Sequence, residues 1–272
     1  VGAKKSLGQN FLVDDAVAAR IVREVAPRAD ETVIEIGAGR GALTGRLVGQ
    51  AGRLVAIEFD RELVPVLEKK FGGRENFTLI EGDALAVDYC AAIAPASHAR
   101  VVANLPYNIS TAILQRLFDA RRCLTELVLM LQREVVERII APPGTSERGY
   151  LSVLTEAYCE ARPLFDVAPE AFRPVPKVWS TIVHLRVRES AAAEVSDEAL
   201  LWRTVSAGFA QRRKTIFNNL RHAPPALSPQ VEAAGGANAL LEAAGIEANR
   251  RAETLTLAEW VALARTLETH AR

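Results

Sequence analysis

Short, nearly unbroken apolar runs alternate along the first two thirds of the chain with stretches in which apolar residues recur every three or four positions. The runs lie at 32–36, 53–58, 77–81, 100–103 and 126–132. Consecutive apolar residues predict strands buried on both faces, as in a parallel sheet. The intervening periodicity predicts helices over 16–25, 42–48, 61–71, 110–120, 133–141 and 151–161, the first capped by Asp14. A short strand is expected at 165–167, then an extended loop at 172–180 stiffened by Pro174 and Pro176, then a last strand at 181–187 inserting antiparallel. Strands alternating with helices imply an α/β fold around a doubly wound, mostly parallel sheet.

From 189 to 195 the composition shifts to Ala, Glu and Ser. Beyond it only helical spacing remains, at 197–209, 212–220, 237–244 and 257–269. The chain therefore reads as a ligand-binding domain at 1–190 and a small all-helical domain at 191–272. Hydrophobic residues make up 49% of the 272, enough for a packed core and too many for a disordered chain.

Charge narrows the choice of partner. Lys and Arg number 33 and Asp and Glu 33, so any affinity for a nucleic acid has to come from a local patch. The densest patch lies at 211–221, inside an interval from Glu198 to Glu232 that contains no acid. Its Arg212, Arg213, Lys214 and Arg221 are candidate phosphate contacts, and Lys4 and Lys5 on the N-terminal arm are two more. Cys90, Cys123 and Cys159 are far apart with no C-x-x-C among them, so free thiols in a reducing compartment are expected. The histidines are scattered and no metal is expected. No apolar run is long enough to cross a membrane and no signal peptide is visible, so the expectation is a cytoplasmic protein with no membrane partner.

The candidate chemistry collects at strand ends. The strand at 100–103 runs into Asn104-Leu105-Pro106-Tyr107. Pro106 cannot donate to a ladder and holds Leu105 extended, which frees the last carbonyls of the strand. A carboxamide, a free carbonyl and an aromatic ring at the carboxyl end of a strand suit a flat base with an exocyclic amino group: Asn104 and Leu105 accept its hydrogens and Tyr107 stacks on its face. The first strand runs into Gly37-Ala-Gly39-Arg-Gly41, with Glu35 two residues before the first glycine. Such a turn lets a ligand approach the backbone, although its G-x-G-x-G spacing is one residue tighter than the dinucleotide fingerprint. Glu58 ends the second strand, where an acid is placed to accept from two ribose hydroxyls. Asp83, followed by Ala84, ends the third and either caps a turn or accepts from an adenine amino group. Gln9 and Asn10, two amides ahead of an apolar anchor, read as further ligand contacts.

The motifs Glu35-Ile-Gly37-Ala-Gly39-Arg-Gly41, Glu58, Asp83 and Asn104-Leu-Pro-Tyr107 resemble those of class I S-adenosylmethionine-dependent methyltransferases that modify adenine amino groups, whose sheet is Rossmann-like. Three further segments sharpen the resemblance: Lys5-Ser6-Leu7-Gly8-Gln9-Asn10-Phe11-Leu12, Phe172-x-Pro174-x-Pro176-x-Val178-x-Ser180, and Phe209-x-Gln211-Arg212-Arg213-Lys214-Thr215. All three are similar to the ribosomal RNA small-subunit adenine dimethyltransferases, the kasugamycin-sensitivity family. One departure is Trp179, where that pattern leads one to expect a small or acidic residue.

The resemblance implies dimethylation of two adjacent adenosines near the 3′ end of 16S rRNA within a small-subunit particle, by a monomer that also serves small-subunit biogenesis. It implies S-adenosylmethionine contacts at Asn10, Leu12, Gly37, Glu58, Asp83 and Asn104, and a target site of Asn104, Leu105, Pro106, Tyr107 and Phe172. Three alternatives stay open: a large-subunit rRNA adenine methyltransferase of the macrolide-resistance type, a nicotinamide-dependent dehydrogenase, and a non-catalytic RNA-binding assembly factor. The glycine spacing and the lack of a catalytic Tyr-Lys or His–Asp pair speak against the second.

Overall fold

The computed structural model describes residues 2–4, 7–192 and 195–270. They divide into two compact units: the chain up to Val136 together with Glu160–Val187, and Glu137–Cys159 together with the chain from Arg188.

The first unit is built on strands β1 (Phe11–Leu12), β2 (Thr32–Ile36), β3 (Arg53–Glu58), β4 (Phe77–Glu81), β5 (Ala99–Asn104), β6 (Leu124–Gln132), β7 (Cys159–Val167), β8 (Phe172–Arg173) and β9 (Ser180–Val187). Seven of them form one sheet in the order β4-β3-β2-β5-β6-β9-β7. Pairing is parallel from β4 to β6 and antiparallel between β6 and β9. Val33, Ile34, Leu54, Val55, Val101 and Val102 are inaccessible to solvent, so successive residues on both faces are covered and the apolar runs are explained. Helices α1 (Asp15–Val25), α2 (Thr44–Leu47), α3 (Val64–Phe71), α4 (Tyr89–Ala92), α5 (Ser110–Asp119) and α6 (Arg133–Ile139) connect the strands. As expected, Asp14 caps the first, accepting from the amides of Ala16 and Val17.

From β2 the chain steps outward to β3 and β4, then returns to β5 and leaves in the other direction. The reversal falls between β2 and β5, and in open α/β sheets such a switch point opens a crevice at the carboxyl ends of the strands. Ile36 pairs with Ala103 there, so Gly37 and Asn104 emerge side by side.

The second unit is helical: α7 (Tyr150–Tyr158), α8 (Glu198–Gly208), α9 (Ile216–Arg221), α10 (Ser228–Ala233), α11 (Gly236–Ala243) and α12 (Leu257–His270). Its core includes Trp260, Leu263, Leu267, Leu240 and Val205, all fully buried.

Three expectations need correction. The segment at 137–159 groups with the helical unit, so the two units are not simply the chain before and after residue 190. Arg148 shows why: only 1% exposed, it donates to the carbonyls of Leu255 and Ala141 and pairs with Glu156 at 2.7 Å. The helix expected from Arg212 begins instead at Ile216, because the Thr215 hydroxyl accepts from the Asn218 amide and starts the helix there. Finally, Cys90 and Cys123 are not free thiols but a disulfide, with a Cα–Cα distance of 5.6 Å. Cys159 is a buried thiol whose pKa is pushed up to about 12, chiefly by burial.

Candidate active site

A cavity of about 280 Å³ opens where the carboxyl ends of β2, β3, β4 and β5 meet. In that strand order its lining is Gly37 and Gly39, then Glu58, then Asp83 and Ala84, then Asn104-Leu105-Pro106-Tyr107. The N-terminal arm adds Gln9 and Asn10 to the lining.

The glycine turn owes its shape to its backbone. Gly37, Gly39 and Gly41 have φ of +72°, +58° and +85°, where side chains other than glycine are strained. Only the first two line the cavity. A Cβ on Gly41 would stand 2.7 Å from the Phe71 ring, so that glycine serves packing against α3. Glu35, expected as a ligand contact, is 1% exposed and lies behind the turn beside Thr44. Burial pushes its pKa to about 8, Thr44 opposes the shift, and the Glu58 charge adds to it.

Glu35 therefore ties stability to pH. Below about 4.5 the folded and unfolded chains both hold the proton. Between there and about 8 the unfolded chain ionises while folded Glu35 does not, so stability falls as pH rises, by at most about 1.4 kcal/mol per pH unit. Glu35→Gln should show a smaller loss of melting temperature from pH 5 to pH 8 than the wild type. Parallel thermal scans check this, and identical pH slopes would rule it out.

Glu58 is 6% exposed, and its two oxygens accept from the amides of Gly39 (2.7 Å) and Asp60 (2.8 Å). A carboxylate has room for about two more donors, so the ribose assignment stays compatible with these bonds. One Asp83 oxygen caps the turn by accepting from the Leu85 amide at 2.9 Å, and the residue also lines the cavity. The loop it stands on is held by Tyr89, whose hydroxyl donates to the Ala84 carbonyl, and by Arg116, which donates to the Leu85 carbonyl.

The Asn104 carboxamide has a defined orientation. Its nitrogen donates to the Asn10 carbonyl at 3.1 Å, which leaves its oxygen as the acceptor for a ligand. The Leu105 amide donates to Met130, while its carbonyl accepts no hydrogen bond among the described residues. The Tyr107 hydroxyl lies 2.6 Å from the Ser180 hydroxyl at the start of β9. Burial raises its pKa and Ser180 opposes this, so the ring is a neutral phenol locked at its far end.

Some expected contacts are not brought to the cavity. Leu12 packs into the core on β1, and Phe172, its partner on β8, is fully buried in the same core. Phe172 therefore does not face a base in this structure, because the strand pairing turns its ring inward. Lys4 is not free for RNA: its ammonium pairs with Asp60 at 2.6 Å and Glu62 at 3.0 Å. Lys5 lies outside the described residues. Arg212, exposed in the turn before α9, donates to the carbonyls of Ser146 and Arg148. Arg213, Lys214 and Arg221 are exposed.

Asp60 is the residue that sequence reasoning missed. It is 2% exposed and accepts from Lys4 and from the Gln9 amide (2.8 Å). Burial, the largest single influence, would raise its carboxyl pKa, but the Lys4 and Gln9 donors, the Glu62 amide and the Lys4 charge together hold the group below the usual carboxylate range. Gln9 thus clasps the arm to the end of β3 while lining the cavity. Phe59, 56% exposed on the cavity rim, was also missed; an apolar residue directly after the ribose acid was the available signal.

The family described as "Ribosomal RNA adenine dimethylase" matches residues 2–263. A protein of Geobacter sulfurreducens named ribosomal RNA small subunit methyltransferase A is 44% identical, covering 98% of this chain and 96% of that protein. A protein of the same name from Chromohalobacter salexigens is 48% identical over 80% of this chain and 79% of its own length. Among solved structures, a dimethyladenosine transferase from Plasmodium falciparum shares the fold with a TM-score of 0.80 at 22% identity, covering 96% of this chain and 98% of its own. The 23S rRNA methyltransferase ErmE gives 0.68 at 27% identity, covering 95% and 100%.

Proposed function

The chain belongs to the ribosomal RNA adenine dimethylase family and is an rRNA adenine dimethyltransferase, and from that premise we propose that it dimethylates two adjacent adenosines of 16S rRNA, using S-adenosylmethionine, in a small-subunit particle. The observation that carries the reading is the orientation of Asn104. With its nitrogen committed to Asn10, its oxygen and the Leu105 carbonyl are two acceptors at one strand end, the pattern an exocyclic amino group requires.

The lining fits S-adenosylmethionine. Two positive-φ glycines leave the backbone open beside Asn104, and Glu58 and Asp83, both in the lining, are the proposed acceptors for the ribose and the adenine. The cofactor supplies an electrophilic methyl. An adenine amino nitrogen is a weak nucleophile because its lone pair is delocalised into the ring. Asn104 and Leu105 hold its hydrogens and favour the pyramidal geometry that localises the pair. As the nitrogen gains positive charge, the same acceptors bind it more strongly, which lowers the barrier. Tyr107, held by Ser180, stacks on the base and fixes its plane.

Relatives named for the small subunit are 44–48% identical, against 27% for the 23S enzyme, which favours 16S rRNA. A monomer working in the cytoplasm completes the reading; no helix among the described residues is long and apolar enough to cross a membrane. The test is methyl transfer from labelled cofactor to unmethylated small and large subunits, with mass spectrometry of the modified base. Dimethyladenosine only in small subunits is expected; label only in large subunits would overturn the substrate.

Arg213, Lys214 and Arg221 are proposed as the phosphate contacts of the helical unit. Their triple Ala variant should weaken RNA binding and reduce the slope of log affinity against log salt by roughly 0.7–0.9 per lost contact, with melting temperature unchanged. Arg212→Ala should instead lower the melting temperature, since it frees the carbonyls of Ser146 and Arg148. Salt titrations and thermal scans on both variants separate the two roles.

A further inference from the structure

The loop between β8 and β9 exposes three apolar side chains, Val175 (52%), Val178 (42%) and Trp179 (45%). Exposing nearly half of a tryptophan costs burial that the fold forgoes. The side chain is also held in place. The Trp179 carbonyl accepts from the Arg133 amide at 3.0 Å. The Arg133 guanidinium lies 5.0 Å from the centre of the indole and is itself anchored by Asp166 at 2.5 Å. Asp166 in turn accepts from the Thr181 hydroxyl at 2.6 Å. Pro174 and Pro176 stiffen the approach.

The next residue is Ser180, whose hydroxyl lies 2.6 Å from that of Tyr107. Trp179 is thus one Cα step, about 3.8 Å, from the residue that locks the ring assigned to the target base. Lys177 is exposed on the same loop, which carries no acid, and Arg173 is exposed at the end of β8 just before it. An anchored, exposed indole one residue from the base pocket, with Arg133 against it and Lys177 exposed nearby, is the composition of a platform for single-stranded nucleic acid: aromatic faces take bases and cations take phosphates.

We propose that Trp179 stacks on the nucleotide next to the target adenosine and so holds the flanking RNA while Asn104 and Tyr107 hold the target. This rests on the RNA-methyltransferase reading above. The committed occupant is RNA: Arg133 lies against the indole and Lys177 is exposed two residues away on a segment without acids, the charge that a phosphate backbone complements.

The test uses the full chain and two probes. The first is a single-stranded RNA oligonucleotide carrying two adjacent adenosines, with tryptophan emission as the readout. The wild type should be quenched on binding and Trp179→Phe should lose most of that quenching, since Trp260 is buried and Trp202 packs against Tyr150 and Tyr158. The second is the unmethylated small subunit. Trp179→Ala should raise its KM roughly 5- to 150-fold, the range for one lost base stack, with kcat, cofactor affinity and melting temperature near wild type. Trp179→Phe should recover most of the affinity. An unchanged KM in Trp179→Ala beside an active wild type would overturn the proposal and leave the methyltransferase reading standing. A raised KM for the particle without any quenching by the oligonucleotide would assign the patch to a ribosomal protein and also overturn it. An inactive wild type would count against the parent reading, while quenching of Trp179 would still decide the stacking.

Discussion

Asn104→Ala is expected to slow methyl transfer by about 10²–10³-fold, the usual loss when one preorganised hydrogen-bonding group is removed from a transition state. The Asn104 oxygen and the Leu105 carbonyl are the two acceptors proposed for the amino group at the β5 end. The nitrogen of the base carries little charge before reaction and a full charge after it, so the acceptor matters most at the barrier. The variant should accordingly lose kcat far more than cofactor affinity. Its nitrogen also ties down Asn10, so a modest loosening of the arm accompanies the change. Single-turnover rates at saturating cofactor and substrate, with calorimetry of cofactor binding alongside, separate the two effects. Near wild-type turnover would refute the proposed mechanism.

Glu58→Ala should weaken S-adenosylmethionine binding by roughly 1–3 kcal/mol, the cost of leaving hydrogen-bonding partners unmet. Two losses combine. The ribose hydroxyls lose their acceptor, and the amides of Gly39 and Asp60, both now satisfied by this carboxylate, lose theirs. Glu58→Gln keeps one oxygen and should lose less. Calorimetry on the folded variants checks the order, and unchanged affinity in Glu58→Ala would remove the residue from the site. Gly39 links the two losses: the acid holds the same glycine turn that the ligand is expected to approach.

Much of this arrangement is local in the chain. Strand runs buried on both faces, a turn of positive-φ glycines after β2 and acids at the ends of β3 and β4 are each encoded within a few consecutive residues. The alternation of strands with helices then sends all those strand ends to one edge of the sheet, and the cavity lies there. The gathering of Asn104, Leu105, Tyr107, Glu58 and Asp83 around one cavity was legible for that reason.

The tertiary structure alone decided which side chains were already taken. Lys4 read as a phosphate contact until Asp60, 56 residues away, claims its ammonium. Phe172 read as aimed at the base until β1 turned it into the core. Cys90 and Cys123, 33 residues apart, read as thiols until α4 and the turn just before β6 came together. Glu35 read as a ligand contact until the sheet buried it behind the glycine turn. The physical reason is common to all four. Periodicity specifies which face of an element is buried and where the element ends, whereas a side chain's partner depends on which distant elements pack against it, and no local pattern carries that information.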